Sequence, residues 1–115
     1  MTVKLGVVVY SNDPETLSNA LQFATYAGKQ GDQVKVFLLG KGVEAAGRGS
    51  KTEAYAKKPF QLAGDMRALV DAGGQLFASE KCLDLRQFSA PDMCRRSTTG
   101  DLYDMVKESD RVVTF

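Results

Sequence analysis

Apolar residues follow two patterns along the chain, one typical of buried strands and one typical of amphipathic helices. Residues 3–10 (VKLGVVVY) form a nearly continuous β-branched run, as expected for a strand that is buried on both faces of a parallel sheet. Residues 33–40, 75–79 and 111–115 repeat this pattern. We therefore predict four strands, and we expect the last of them to end the chain inside the fold.

The segments between these strands carry apolar residues at helical spacing. The first helix is expected to start after the N-cap Asp13, with Pro14 in its first turn, and to end at Gly31. A second helix is expected to open at Pro59, and a third has Thr99 as its candidate N-cap. The predicted apolar faces are Leu17, Ala20, Leu21, Ala24 and Ala27 in the first helix, Leu62, Met66, Leu69 and Val70 in the second, and Leu102, Met105 and Val106 in the third.

The alternation of strands and helices predicts an α/β fold with a mainly parallel sheet of four to five strands. The 115 residues suffice for one compact domain, 1–115, and are too few for two. Residues 41–58 are rich in glycine, alanine and charge and show no clear period. A connection of that length is typical of a functional loop, a lid or an interface element.

Composition narrows the function classes. The 15 basic and 14 acidic residues nearly cancel, which gives no reason to expect nucleic acid as a partner. No apolar run reaches the roughly 20 residues needed to span a membrane, and the N-terminus reads as a strand rather than a signal peptide. We therefore expect a cytoplasmic protein, where thiols stay reduced and a disulfide between Cys82 and Cys94 is disfavoured.

The chain has no histidine, which removes Ser-His and Cys-His catalytic pairs and histidine-ligated metal sites. Its two cysteines cannot complete a four-thiolate zinc site, and we expect neither a metal nor a cofactor. Residues 47–52 (GRGSKT) look faintly like a phosphate-binding loop but fail on spacing. The glycine pair of residues 40–42 (GKG) is equally weak as a dinucleotide fingerprint.

Ligand sites of open parallel sheets lie beyond the carboxyl ends of the strands. Three segments leave those ends in the predicted fold, residues 11–13, 41–50 and 79–86. They and their flanks supply the candidate pocket residues Ser11, Asn12, Gly40, Gly42 and Ser79.

Cys82 follows the third predicted strand by about one turn, near the start of a short helix. A helix N-terminus and neighbouring cations both favour a thiolate, and Lys81 and Arg86 are the nearest cations in sequence. Arg95 and Arg96 are able to fold back towards it. The alternative is that Cys82 is a small buried hydrophobic residue, since free cysteine is among the most buried residue types.

Cys94 is expected in a loop between Met93 and Arg95, where packing under the sheet edge is its favoured role. It is also a candidate second thiol that resolves a sulfenate or persulfide on Cys82. Residues 95–101 (RRSTTGD) combine two arginines with three hydroxyls before a helix. That start either binds an anion or is simply a capped helix with solvated arginines.

Three portions of the chain, in order, resemble the DsrE/DsrF-like family of small sulfur-relay proteins, of the TusD/DsrE type. They are residues 20–44 (ALQFATYAGKQGDQVKVFLLGKGVE), 73–88 (GGQLFASEKCLDLRQF) and 93–115 (MCRRSTTGDLYDMVKESDRVVTF). The resemblance implies a flavodoxin-like, three-layer α/β/α sandwich that assembles into trimers or hexamers. We expect the helix that opens at Pro59 and the loop 41–58 to supply the interface.

The resemblance also implies a role for Cys82. Active relatives carry sulfane sulfur as a persulfide on a cysteine after the third strand, and they pass it between a donor and an acceptor protein. Where many relatives have a C-x-x-C pattern, this chain has Ser79 in the first position and Cys82 in the second. In TusD-type relatives the sulfur-carrying cysteine falls nearer the position of Ser79, and a serine cannot hold sulfane sulfur. The resemblance therefore assigns the carrier role to Cys82 only through its retained position in the pair.

Two further hypotheses stay open beside a persulfide-relay sulfurtransferase. The substitution at Ser79 is compatible with a non-catalytic oligomeric subunit that binds a small anion or nucleotide, or that serves beside an active paralogue. Thiol redox sensing through Cys82 and Cys94 is the weaker one, because it needs the two Cα atoms within about 7 Å of each other.

Overall fold

A parallel β-sheet with the strand order β4-β3-β2-β1-β5 forms the centre of the protein. The computed structural model describes residues 2–46 and 61–115. Its strands are β1 (Lys4–Val9), β2 (Gln33–Leu38), β3 (Gln75–Ser79), β4 (Cys94–Ser97) and β5 (Arg111–Thr114). Its helices are α1 (Pro14–Lys29), α2 (Leu62–Asp71), α3 (Glu80–Arg86) and α4 (Thr99–Glu108), with a 3-10 helix at Gly40–Ala45.

The direction in which strands are added explains the layers. From β1 to β4 each strand is placed on the same side of the previous one, and the intervening helices α1, α2 and α3 pack on one face. The chain then returns to pair β5 with β1, and α4 covers the opposite face. Parallel crossovers are right-handed, so reversing the direction moves the helix to the other face. The predicted three-layer α/β fold is confirmed.

The core is unequal on the two faces of the sheet. The larger cluster lies between the sheet and helices α1 and α2, where all five predicted apolar residues of α1 are buried. The smaller cluster centres on Val8, Phe37 and Met105 beneath α4. Gly6 lets this helix approach, because a Cβ there would meet Ser109 Oγ at 2.7 Å. The α4 side of β2, β3 and β4 is left only partly covered within the described chain.

Two predictions about strands are wrong. Residues 94–97 form β4, an edge strand that pairs with β3 from Leu76↔Cys94 to Ser79↔Ser97, where we expected a loop. Its sequence, CRRS, has no apolar pattern, as is common for edge strands that carry charge. The last strand, β5, pairs with β1 at the other edge and is mostly exposed rather than central. An apolar run alone does not separate edge strands from central ones.

The start and end of α1 follow the sequence. Asp13 Oδ2 accepts a hydrogen bond from the backbone N–H of Thr16 at 2.9 Å, which confirms Asp13 as the N-cap. Gly31 has a φ of +97°, directly after the cap residue Gln30, in the left-handed conformation that ends many helices. The glycine therefore stops this helix as predicted.

The other helices differ from the prediction by small steps. The N-cap of α4 is Thr98 rather than Thr99, and Val106 is exposed rather than part of an apolar face. The connection after β2 begins with the 3-10 helix rather than with an irregular loop. Pro59 and the segment 47–52 lie outside the described residues, and α2 begins at Leu62. None of the helices in residues 2–46 and 61–115 is long and apolar enough to cross a membrane.

Candidate functional site

Three neighbouring segments meet at the carboxyl edge of the sheet, as the sequence predicts. They follow β1, β2 and β3, which are adjacent, and the side chain of Glu44 in the 3-10 helix connects them. Glu44 Oε1 accepts a hydrogen bond from Asn12 Nδ2 at 3.4 Å. Glu44 Oε2 accepts one from Arg86 Nε at 3.3 Å. We call Asn12, Glu44 and Arg86 the Glu44 cluster.

Arg86 extends this cluster to Cys82. Its Nη1 donates to the backbone carbonyl oxygen of Cys82 at 3.1 Å, while its Nε is paired with Glu44. The side chains of Arg86 and Glu44 are only 26% and 28% exposed, so water screens this pair less than a surface pair. Arg86 thus lies beside Cys82 as expected, but it shares its charge with a carboxylate.

Sequence reasoning missed Glu44. Its signal in the sequence is faint: it is the acidic residue in the otherwise small and apolar run GVEAA directly after β2. Only the path of the 3-10 helix shows that its carboxylate faces both the β1–α1 loop and α3.

Cys82 is the third residue of α3 and is half-buried against the main core. Its backbone N–H donates to Ser79 Oγ at 3.3 Å, so Ser79 is the N-cap of α3. Serine is among the residues that cap helices best, because its hydroxyl oxygen accepts from the free N–H groups of the first turn. The serine in the first position of the pair therefore has a structural role in this chain.

The remaining predicted cations are placed differently. Arg96 does fold back to α3, but its Nη2 pairs with Asp84 Oδ1 at 2.6 Å and with Glu80 Oε1 at 3.8 Å. The hydrogen bond with Asp84 raises the pKa of Arg96 above its ordinary value. Lys81 is exposed and forms no ion pair with the described residues. These contacts place acidic groups, not the thiol, next to Arg96.

Arg95 lies on the other side of the sheet. Adjacent residues of a strand point to opposite faces, and Arg95 lines a groove with Phe77 and Asp101 on the α4 side. Hydrogen bonds from Thr98, with a smaller contribution from the charge of Arg95, lower the pKa of Asp101. Thr98 and Asp101 cap α4 reciprocally. The structure therefore favours a capped helix and does not bring both arginines to its start.

Cys94 is the first residue of β4 and is buried in the main core, with 4% of its surface exposed. Burial raises the pKa of its thiol from 9.0 to about 12. The thiol is therefore protonated throughout the physiological range. Both cysteines are free thiols in the structure.

The other predicted pocket residues shape the loops. Ser11 Oγ accepts from the backbone N–H of Asp13 at 3.0 Å, inside the β1–α1 loop. Gly40 opens the 3-10 helix with a φ of +54°. Gly42 packs directly on the end of β1, where a Cβ would overlap the carbonyl oxygen of Val9. This close approach keeps Glu44 near Asn12.

No group of three or more Cys, Asp or Glu side chains is placed to hold a metal ion in the part of the chain that the structure describes. The chemistry that this edge offers is that of a half-buried cysteine whose backbone carbonyl is bonded to one member of a partly buried ion pair.

Comparison with known proteins identifies the relatives of this chain. An uncharacterized protein of Methanopyrus kandleri is 31% identical over 114 residues, covering 94% of this chain and 91% of the relative. Another, of Methanocaldococcus jannaschii, is 32% identical over 104 residues and covers 88% of each.

Two solved structures share the fold. The YchN protein of E. coli matches with a TM-score of 0.83 and 22% identity, over 98% of this chain and 99% of that one. The conserved protein of unknown function BT1422 of Bacteroides thetaiotaomicron matches with a TM-score of 0.69 and 12% identity, over 97% of this chain and 95% of that one. The model of the DsrE/DsrF-like family matches residues 3–115, and the chain belongs to that family.

Proposed function

We propose that the protein is a persulfide-relay sulfurtransferase that accepts sulfane sulfur on Cys82 and passes it to an acceptor protein. The observation that carries this proposal is the contrast between the two thiols. Cys82 is half-buried at the carboxyl edge of the sheet beside Arg86, whereas the thiol of Cys94 is buried in the core with its pKa raised to about 12. Membership of the DsrE/DsrF-like family supports a role related to sulfur relay.

The transfer needs no oxidant and no histidine. The Cys82 thiolate attacks the outer sulfur of a donor persulfide, R–S–SH, so that a new S–S bond forms on Cys82 while the S–S bond of the donor breaks. The donor leaves as the thiolate R–S⁻, and Cys82 becomes Cys82–S–SH. An acceptor thiolate then attacks the outer sulfur in the same way, and Cys82 leaves as thiolate. Sulfane sulfur moves without net oxidation in either step.

The test is to incubate the protein with cysteine persulfide and to weigh the intact chain. We expect a mass gain of one sulfur atom that is lost on reduction, absent in Cys82→Ser and retained in Cys94→Ala. The Cys94→Ala variant is the matched control, because it removes the other thiol and leaves the carboxyl edge unchanged. Absence of a sulfur adduct on Cys82 of the wild-type chain would refute the proposal.

One observation favours a second candidate, a non-catalytic subunit that binds a small anion or nucleotide or serves beside an active paralogue. Ser79, which stands where many relatives have a cysteine, is buried and caps α3. The same mass measurement separates the two candidates, because the non-catalytic subunit takes up no sulfur.

We further propose that the protein works as a homo-oligomer, a trimer or hexamer, in the cytoplasm, with separate donor and acceptor proteins. The sequence predicts the interface on the helix after Pro59, but Leu62, Met66 and Leu69 of α2 are buried in the core of the chain itself. The surface that supports self-association is instead the partly covered side of β2, β3 and β4. Phe77 there is half-buried and stacks on Phe37 with ring centroids 6.3 Å apart, and Gln75 and Arg95 beside it are exposed. A half-buried aromatic ring rimmed by polar residues is common at protein interfaces.

A further inference from the structure

The Glu44 cluster joins three segments that are far apart in sequence, and it reaches the proposed sulfur acceptor through one residue. Glu44 receives hydrogen bonds from Asn12 and Arg86, and Arg86 also donates to the backbone carbonyl of Cys82. The Arg86 guanidinium is therefore held by the 3-10 helix through Nε and by a carbonyl of its own helix, α3, through Nη1.

The charges around Cys82 fall into three groups. Arg96 is neutralised by Asp84 and Glu80 on the outer surface of α3. Lys81 is exposed to solvent, which screens its charge. Among the described cations, Arg86 is the one whose side chain donates to the backbone of Cys82, and it is less exposed than Arg96. Arg86 and Cys82 are also four residues apart in α3, so their side chains lie on the same face of that helix.

Glu44 supplies the opposite charge paired with the Arg86 guanidinium. A nearby positive charge favours a thiolate and a nearby negative charge disfavours it. When the guanidinium is paired with a carboxylate, the two contributions largely cancel at a third group nearby. The pair is partly buried, so its effect is less screened than that of a surface pair.

We infer that Glu44 is a positioning residue for Cys82, which holds Arg86 against the Cys82 carbonyl and at the same time limits the reactivity of the thiol. The inference rests on the proposed function for its purpose, a carrier thiol that is held in place and restrained between donor and acceptor. Its physical content, a coupling between the Glu44–Arg86 pair and the thiol, is independent of sulfur transfer.

The experiment measures the rate at which iodoacetamide alkylates Cys82 in the folded, full-length chain at pH 7, by mass spectrometry of the Cys82 peptide. We expect Glu44→Gln to raise the rate about threefold or more, because Arg86 keeps its charge and loses its carboxylate. We expect Arg86→Gln to lower the rate by a similar factor, because an unpaired carboxylate remains. The double variant should return towards the wild-type rate.

The decisive result is that the two single variants change the alkylation rate of Cys82 in opposite directions. Both single variants break the same ion pair, so a role limited to holding α3 in place would expose the thiol and raise the rate in both. Arg86→Lys, which retains the charge and loses the Nε contact, should alkylate faster than Arg86→Gln. If Glu44→Gln and Arg86→Gln change the alkylation rate in the same direction, or leave it as in the wild type, the inference is overturned.

Asp84→Asn is the matched control, since it breaks an ion pair of the same helix that does not involve Arg86. We expect it to change the alkylation rate by less than twofold, and a change as large as that of Glu44→Gln would count against the inference. Failure of the wild-type chain to take up sulfur, with the alkylation pattern intact, would refute the proposed function and leave the coupling standing.

Discussion

Ser79 Oγ accepts a hydrogen bond from the backbone N–H of Cys82 at 3.3 Å. The first residue of the S-x-x-C pair therefore caps the helix that carries the cysteine of that pair. The relationship gives Ser79 a role that does not depend on sulfur chemistry. It also gives a physical reason for serine at position 79, because its hydroxyl caps the helix that carries Cys82.

Replacing Ser79 with alanine should lower the free energy of unfolding by about 1 kcal/mol, the usual cost of losing a helix N-cap. Ser79→Thr keeps a capping hydroxyl and should lose less. Urea denaturation of the three chains measures the difference. An alanine variant as stable as the wild type would show that the cap contributes nothing to stability.

Gly42 and Gly64 form a matched pair for a second prediction. A Cβ at Gly42 would overlap the carbonyl oxygen of Val9, so Gly42→Ala should destabilise the protein by about 1–3 kcal/mol, as overpacking does. Apart from its chain neighbours and the backbone of α2 itself, no atom of residues 2–46 and 61–115 lies within 4 Å of a Cβ built at Gly64, which is exposed in α2. Gly64→Ala should stabilise by about 0.5–1 kcal/mol, because alanine favours helix.

Thermal denaturation of both alanine variants provides the measurement. The predicted signs are opposite, so a destabilised Gly64→Ala or an unchanged Gly42→Ala would contradict the packing argument. Because Gly42 keeps the 3-10 helix against β1, its alanine variant should also change the alkylation rate of Cys82, whereas the Gly64 variant should not.

The layers and the carboxyl-edge site were predictable from the sequence to different extents. β1, β2 and β3 lie within two residues of their predicted bounds, since long β-branched runs between turn signals leave few alternatives. β4 was not predictable, because CRRS pairs along one edge and shows no apolar pattern. Missing this strand also hid the fact that Arg95 and Arg96 point to opposite faces.

The candidate site was likewise predictable from the sequence only in part. The rule that ligand sites follow the carboxyl ends of parallel strands brought together the segments that contain Asn12, Glu44 and Cys82. It did not identify Glu44, because side-chain pairing depends on how the 3-10 helix turns after β2. Spacing placed Arg86 near Cys82, but only the structure shows that the guanidinium is shared with a carboxylate.

The buried thiol of Cys94 should make the free energy of unfolding depend on pH in the alkaline range. This thiol has a pKa of about 12 in the folded protein, raised by burial from 9.0. Above pH 9 the unfolded chain loses this proton while the folded chain keeps it, so the unfolded state binds fewer protons and stability falls as pH rises.

Comparison of the wild type with Cys94→Ala isolates this effect. At pH 7 the variant should be less stable by about 1 kcal/mol, because a buried side chain is truncated. The deficit should shrink between pH 9 and 10.5, where only the wild type has the buried thiol to deprotonate on unfolding. Urea denaturation at three pH values checks this, and a deficit independent of pH would contradict it.

The partly covered face of the sheet predicts where copies of the chain associate. Phe77→Asp places a charge on that face and should convert the proposed oligomer to monomers in size-exclusion chromatography with light scattering. Arg95→Glu, at an exposed position of the same face, avoids the core and should weaken association while lowering the melting temperature less than Phe77→Asp does. Leu85→Asp is the control, because Leu85 is 77% exposed on α3, on the other side of the sheet. A monomeric wild type, or dissociation by Leu85→Asp alone, would place the interface elsewhere or remove it.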